Sequence, residues 1–422
     1  MFGRTAHWDS GVSESGKVET NADIRCSLVG AYDIHIISFA NQPLLPDKGN
    51  SIVYAEGQSK KYIGDYVMEK SIVLPAVISA LPILAWAQSS VTLYGTVDTS
   101  VAYVRAAGQG SKTSLEDSGE NASRFGLIGN EDLGGGLSAG FTLESDIFPS
   151  SGLGGTTNTN NQKSGVATAM FNRRSFINLT SKTYGELRLG RDYSPSYWNV
   201  AKYDPFVHEG IGSAAVRDLT DTGITGVRTS NTAFYLTPDT LGGFFGEVAY
   251  GLGNNPQNLP DGTGHDGNYA GFRVGYIGHG ANVAIAGGKT TYLAGDVRVL
   301  NFGGTYNFNI FTVYGFYQQA EVGGTASQTQ STILLGGMVP VGVNAVRFSA
   351  IEQHIHGDSS LDSQQLAIGY VYNLSKRTSL YATYAFLNNH KNAKGGLQET
   401  SILAPQPGGN VNGVQLGIST LF

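Results

Sequence analysis

The sequence is poor in charge, in cysteine and in long apolar runs. Charged side chains make up 14% of the 422 residues, against roughly 25% in an ordinary soluble domain. With aromatic residues at 10%, a disordered polyelectrolyte is excluded. The one cysteine, Cys26, can form no intrachain disulfide and no cysteine-based metal site, so packing and hydrogen bonding must carry stability. A formal net charge of −6 with no basic tract leaves no footprint for nucleic acid. Only residues 71–87 approach the roughly 18 consecutive apolar residues of a membrane helix, and mean hydropathy is −0.11, so a bundle of membrane helices is excluded too. Glycine is abundant instead, at 58 residues. Each glycine in a helix interior costs about 1 kcal/mol relative to alanine, which points to a large, mostly β protein.

Met68 opens the stretch MEKSIVLPAVISALPILAWAQSS, which has the layout of a secretory signal. Lys70 supplies a minimal positive region, Ser71 to Leu84 the apolar segment, and Ala85-Trp86-Ala87 the small-x-small cleavage pattern before Gln88. Pro75 and Pro82 argue against a buried core helix here. Residues 1–67 show neither strand alternation nor a helix face. The expected organisation is therefore an upstream extension (1–67), from a misassigned start or a disordered arm, a signal peptide (68–87), and a β domain (88–422).

From Val91 onward the chain alternates with period two, the mark of strands with one apolar face. Leu300, Phe302, Tyr306 and Phe308 interleave with Asn301, Gly303, Thr305 and Asn307. Leu366, Ile368, Tyr370, Tyr372 and Leu374 repeat the pattern. About sixteen such segments follow one another, joined by turns that alternate between short and long, polar and Gly/Asn/Thr-rich. That asymmetry suits an antiparallel barrel between two compartments. A soluble sandwich also alternates, but sixteen strands exceed what open sheets usually reach before splitting. In hydrocarbon an open edge leaves backbone groups unpaired, so the sheet must close. Tyr370, Tyr372, Tyr381, Tyr384 and Phe386 are expected in an interfacial aromatic girdle. The prediction is an all-β, 16-stranded antiparallel transmembrane β-barrel.

The matching stretches SSVTLYGTVDTSVAYV (89–104), SRFGLIGNEDLGGGLSAGFTLES (123–145), NRRSFINLTSKTYGELRLGRDYSP (172–195), DPF (204–206), YNLSKRTSLYATYAFL (372–387) and the terminal GVQLGISTLF resemble the general porins of Gram-negative outer membranes, especially the β-proteobacterial type. The resemblance implies a homotrimer of water-filled barrels in the outer membrane, each narrowed by an inward-folded third loop. It also implies contact with outer-membrane lipid and lipopolysaccharide, and passage of small hydrophilic solutes and ions. Phe422, closing a strand with Val414, Leu416, Ile418 and Thr420 on one face, resembles the signal read by the outer-membrane assembly machinery.

The longest connection, Pro195 to Arg228, is the candidate inward loop, since loops beyond about 15 residues usually carry function. It holds Asp204, Asp218 and Asp221. Arg124 is opposite in parity to Phe125 and Leu127, and Glu144 to Phe141 and Leu143, so both should face the lumen. By the resemblance, Arg124, Arg173 and Arg228 form a basic wall facing loop carboxylates, with Glu144 on the barrel wall. Arg173 and Arg174 are adjacent, so parity is expected to turn one of them outward. Such a wall favours anions weakly; a substrate-selective channel is the alternative. Glu352, His354 and His356 share one face but should point outward, and no metal site is expected from them. The phosphate-loop and dinucleotide patterns fail at Val283 and at the helix-free turn Gly134-Gly135-Gly136, so no cofactor is expected. No hydrolase is expected: Gly136-Leu137-Ser138-Ala139-Gly140 lies where a tight turn enters an alternating strand, without the helix that must follow the serine of a nucleophile elbow.

Overall fold

The computed structural model describes residues 89–422 apart from 159, 163–165, 216, 218–221, 259, 326 and 399–402. The upstream extension, the signal stretch and Cys26 lie outside the described residues. Sixteen antiparallel strands form the barrel: β1 (Ser90–Ala106), β2 (Arg124–Gly134), β3 (Leu137–Phe148), β4 (Arg174–Ser181), β5 (Gly185–Tyr193), β6 (Arg228–Leu236), β7 (Phe244–Gly251), β8 (Asn268–Gly278), β9 (Ala281–Thr291), β10 (Val297–Asn307), β11 (Thr312–Val322), β12 (Gln328–Val341), β13 (Asn344–Ile355), β14 (Ser363–Asn373), β15 (Thr378–Asn389) and β16 (Val411–Leu421). A helix, α1 (Pro195–Lys202), follows β5.

Closure runs through β1 and β16, in register from Thr96↔Leu421 to Ala106↔Val411. On its other edge β1 pairs with β2 only from Ser90 to Thr96. Above that point the edge is covered by a short strand, Gly110–Asp117, folded back from the first long loop. Asp98, fully buried, holds this loop: its carboxylate accepts N–H groups from Gly119 (2.9 Å), Glu120 (3.2 Å) and Asn121 (2.9 Å) and the Tyr381 hydroxyl (2.6 Å). No ladder edge is left open there to hydrocarbon.

The alternation emerges as two chemically distinct faces. Leu366 (57% exposed), Ile368 (54%), Leu416 (56%) and Phe302 (57%) point outward, an arrangement water would penalise and lipid solvates. Asn301, Gln318, Gln365, Gln415 and Ser419 point into the lumen and are buried. Tyr381 corrects the girdle expectation: its odd parity on β15 turns it inward onto Asp98, while Tyr370, Tyr372 and Tyr384 do face outward. Turns at one end are short. Gly134, Gly135 and Gly136, joining β2 to β3, all have positive φ (82°, 61° and 82°), which side chains resist. The opposite end carries the long connections, including residues 194–227. The apolar core lies inside the barrel: Phe206 and Ile211 of this loop pack on Val104, Leu387, Leu397 and Val411, and Tyr197, Val200 and Tyr203 pack on Ala284, Phe316, Leu334 and Ile351.

Candidate functional site

The loop between β5 and β6 lies across the lumen because the barrel wall supplies partners for its backbone. It starts with Pro195 at the first helical position of α1, where the missing N–H costs nothing. From α1, Asn199 Nδ2 donates to Ala284 O (3.3 Å) and Asn301 Oδ1 (3.0 Å), and its Oδ1 accepts from Arg273 Nε (2.7 Å). Asn301 Nδ2 donates in turn to Ser196 O (3.0 Å). After α1 the chain crosses to the far wall. Gln415 Oε1 accepts Ile211 N–H (3.1 Å), and Gln365 Nε2 donates to Ile211 O (3.3 Å) and Ser213 O (2.9 Å). Thr332 Oγ1 donates to Arg217 O (3.2 Å), joined there by Gln330, while Arg217 Nη2 donates to Gly396 O (2.7 Å). Gly210 has φ +70°, and a Cβ there would fall 2.1 Å from Gly119 O. Only glycine lets the loop pass so close to the first loop.

Along this path Asp204 and His208 are buried. The Asp204 carboxylate accepts N–H groups from Phe206 (2.8 Å) and Ala214 (2.9 Å). Burial raises its pKa to about 6, opposed by those hydrogen bonds and by the Arg347 charge. Burial depresses His208 to about 3, and its Nε2 has no partner among the described residues.

The root of the loop, on β2–β6, is lined by arginines. Arg173 Nε donates to Glu144 Oε1 (2.7 Å), and its Nη1 and Nη2 reach Asp146 and the Tyr193 hydroxyl. Arg124 lies 3.4 Å from Glu144, which also accepts the Tyr94 hydroxyl (2.8 Å). Arg174 grips Asp192 with two nitrogens (2.8 and 3.1 Å), and Arg188 bridges Asp192 (2.9 Å) to Glu186 (2.7 Å). The Arg174 and Arg188 guanidinium groups lie 5.0 and 5.1 Å from the centre of the Phe176 ring. Among the described residues, Arg191 and Arg228 have no carboxylate within 4 Å. Arg191 bonds Asn172 O (2.7 Å) and Ser230 Oγ (2.8 Å), and Arg228 lies 4.8 Å from the centre of the Tyr193 ring. Tyr193 in turn stacks on Tyr197 of α1 with ring centres 5.1 Å apart.

Arg124, Glu144, Arg173 and Arg228 thus gather at one wall. Asp204 does not join them: its carboxylate is turned into the loop's own bend, because two backbone N–H groups there need an acceptor. Asp218 and Asp221 lie outside the described residues. Arg173 and Arg174 both point inward, contrary to the parity expectation. β4 begins at Arg174, so strand alternation never reaches Arg173. Phe422 closes β16, exchanging backbone hydrogen bonds with Gly95 (3.1 and 3.2 Å). His354 and His356 point outward at the long-loop end, bonded to Asp362 (2.8 Å) and Ser331 (2.7 Å).

The family described as Gram-negative porin matches residues 75–392. This chain belongs to that family. The porin is 38% identical over 378 residues to outer membrane porin protein 32 of Delftia acidovorans, covering 84% of this chain and 100% of that one. It is 26% identical to an outer membrane porin protein of Bordetella pertussis, covering 78% and 98%. The anion-selective porin from Comamonas acidovorans superposes with a TM-score of 0.68 at 35% identity, covering 79% of this chain and 100% of that one. This porin is accordingly a β-barrel of the Gram-negative outer membrane, a passive diffusion channel whose lumen is narrowed by the loop after β5.

Several residues of the porin's constriction escaped sequence reasoning. Arg188 and Glu186 stand opposite in parity to Leu187 and Leu189, and Gln365 and Gln415 opposite to Leu366 and Leu416. The alternation therefore marked them as lumenal, but nothing in it said which would meet the loop. Asp146 and Asp192 carried the same mark, sharing the parity of Glu144 and of Arg188; Tyr193 carried none.

Proposed function

We propose that small hydrophilic solutes diffuse past the arginine wall with a preference for anions, Arg124, Arg173 and Arg228 forming its basic side and Glu144 tempering it. One observation carries this: the described wall holds five arginines, Arg124, Arg173, Arg174, Arg188 and Arg228, against four carboxylates, and Arg228 is the one without a carboxylate partner among the described residues. Guanidinium groups stay charged at any physiological pH. In a narrow aqueous path with low-dielectric walls their surplus raises local anion concentration whatever the net charge of the chain. The Comamonas acidovorans relative, named an anion-selective porin, points the same way.

The assembly that goes with this reading is a homotrimer; OmpT of Vibrio cholerae, 15% identical with a TM-score of 0.54, is described in a trimer form. Residues 68–87 act as the export signal, Phe422 serves recognition by the assembly machinery, and Asp218 would face the wall from the loop. The test is reversal potential in a planar bilayer under a tenfold KCl gradient. A potential of the sign carried by chloride is expected. Cation preference in the native porin overturns the anion reading, and absence of conductance overturns the channel.

A further inference from the structure

The helix that opens the constriction loop has two unlike sides. Ser196, Tyr197, Asn199 and Val200 are buried, and they hold α1 to the barrel wall through the Asn199 and Asn301 amides and the apolar contacts around Val200. Trp198, Ala201 and Lys202 are the residues of α1 left open, Trp198 and Ala201 in part and Lys202 fully. They stand at i, i+3 and i+4, so they share one side of the helix. Because α1 lies inside the barrel, that side meets the water of the lumen. An indole left at a water-filled path forgoes the gain of burial, and docking of the loop is already carried by the other side of the helix.

Trp198 is tied to the arginine wall through one ring. It meets Tyr193 edge-on with ring centres 4.9 Å apart, and the Arg228 guanidinium lies 4.8 Å from the centre of that same Tyr193 ring. Arg228 Nε is buried and has no hydrogen-bond partner among the described residues, and its Nη2 meets the Tyr193 hydroxyl at 3.4 Å. A guanidinium offers five donors, so Arg228 holds capacity that no described carboxylate uses. Lys202 follows Trp198 by one helical turn, a spacing that sets Cβ atoms about 5–6 Å apart. An aromatic face open to the lumen thus has two cations for neighbours.

We propose that this open side of α1 is a binding site for aromatic carboxylates in transit, the aryl ring lying on the Trp198 indole and the carboxylate reaching Lys202 and Arg228. The proposal rests on the anion preference given above and names the class of anion that gains most from it. A small inorganic anion uses the cations alone, whereas a flat ring adds stacking on the indole that an aliphatic ring of equal bulk does not match. An aromatic cation finds the ring but is repelled by Lys202 and Arg228. Binding of this kind, at one exposed ring beside water, stays weak enough for the solute to leave, as conduction requires.

The experiment adds benzoate, cyclohexanecarboxylate or benzylammonium to planar bilayers holding the full-length porin in symmetric KCl, and reads the concentration of each that halves the current. In the native porin benzoate is expected to do so at about a fivefold lower concentration than cyclohexanecarboxylate, which has the same charge and similar bulk without the aromatic face; benzylammonium should need far more than either. Trp198→Ala should bring the two carboxylates level and Trp198→Phe should keep them apart, whereas Lys202→Gln should weaken both together and leave their ratio. Tyr184→Ala, exposed in the short turn between β4 and β5, should change nothing. Heat-resistant migration on gels verifies that each variant is folded, and Trp198→Leu, apolar but without a ring, is read if Trp198→Ala is not. Equal block by the two carboxylates in the native porin, or an unchanged ratio in Trp198→Ala, overturns the aromatic site while a chloride-signed reversal potential keeps the anion preference standing. Block by benzylammonium as strong as by benzoate overturns the part given to Lys202 and Arg228. A cation-signed reversal potential overturns the anion preference itself, and the site with it.

Discussion

Gln365 makes three hydrogen bonds to the constriction loop, and removing it tests whether that grip sets the pore. In Gln365→Ala the β14 strand keeps its ladders to β13 and β15, because only the side chain is lost. The loop loses the donor to Ile211 O (3.3 Å) and Ser213 O (2.9 Å) and the acceptor of Arg217 Nη1 (3.3 Å). Each such bond contributes about 0.5–1.5 kcal/mol net, more where one partner is charged. Water in the lumen can replace part of it, so about 2 kcal/mol is a reasonable loss for the docked loop. That corresponds to roughly a 30-fold rise in the undocked population. In single-channel recordings it appears as more frequent transitions to a larger conductance level, with unchanged melting of the barrel. Gln364→Ala, one residue away but facing lipid, is the control. Recordings of Gln365→Ala indistinguishable from the native channel would refute the claim that wall amides hold the loop.

Arg228→Gln removes a charge that no described carboxylate neutralises. At about 5 Å from a passing ion and with screening at physiological salt, the charge is worth roughly 0.4 kcal/mol per ion, so the anion-to-cation permeability ratio should fall about fourfold. Arg173→Gln should behave differently, reversing selectivity and weakening the fold by about 3–5 kcal/mol, because it strands Glu144 and Asp146; equal effects in the two variants would sink this distinction. The buried pair in the loop predicts an effect of pH. With a docked pKa of about 6 against 3.8, Asp204 favours docking at low pH and loses that contribution as pH rises through about 6. His208, at about 3 against 6.5, contributes above 6.5 and loses its contribution as pH falls toward 3. The two oppose each other between about pH 4 and 6, so the native frequency of transitions to the larger conductance level should be nearly flat there, whereas His208→Gln should show fewer of them as pH falls; a flat profile in that variant counts against the assignment. N-terminal sequencing of the protein from outer membranes should begin at Gln88, and a peptide from residues 1–67 would exclude a misassigned start.

Period-two alternation was sufficient to place the strands, to turn Leu366 and Leu416 to lipid, and to put Arg124 and Glu144 in the lumen. It failed where the backbone leaves the ladder or where lumenal partners come from far along the chain. Arg173 precedes its strand, so parity said nothing about it. Tyr381 reads as an interfacial aromatic by composition, yet its parity and the buried carboxylate of Asp98 draw it inward. Asp204 reads as a pore carboxylate by position, yet two unsatisfied N–H groups in its own bend take it up.

By itself the sequence determined that this chain is a closed membrane barrel and which residues face each solvent, because both follow from a local repeat that lipid and water read residue by residue. Tertiary structure alone decided what the lumen does. Whether an arginine is neutralised, as Arg173 is by Glu144 and Asp146, or left without a carboxylate, as Arg228 is among the described residues, depends on which groups meet across strands. Likewise, the loop crosses the pore only because glutamines more than a hundred residues away, Gln330, Gln365 and Gln415, present their amides to it. Pairings of that range leave no periodic trace along the chain, since they are fixed by register and closure rather than by neighbours in sequence.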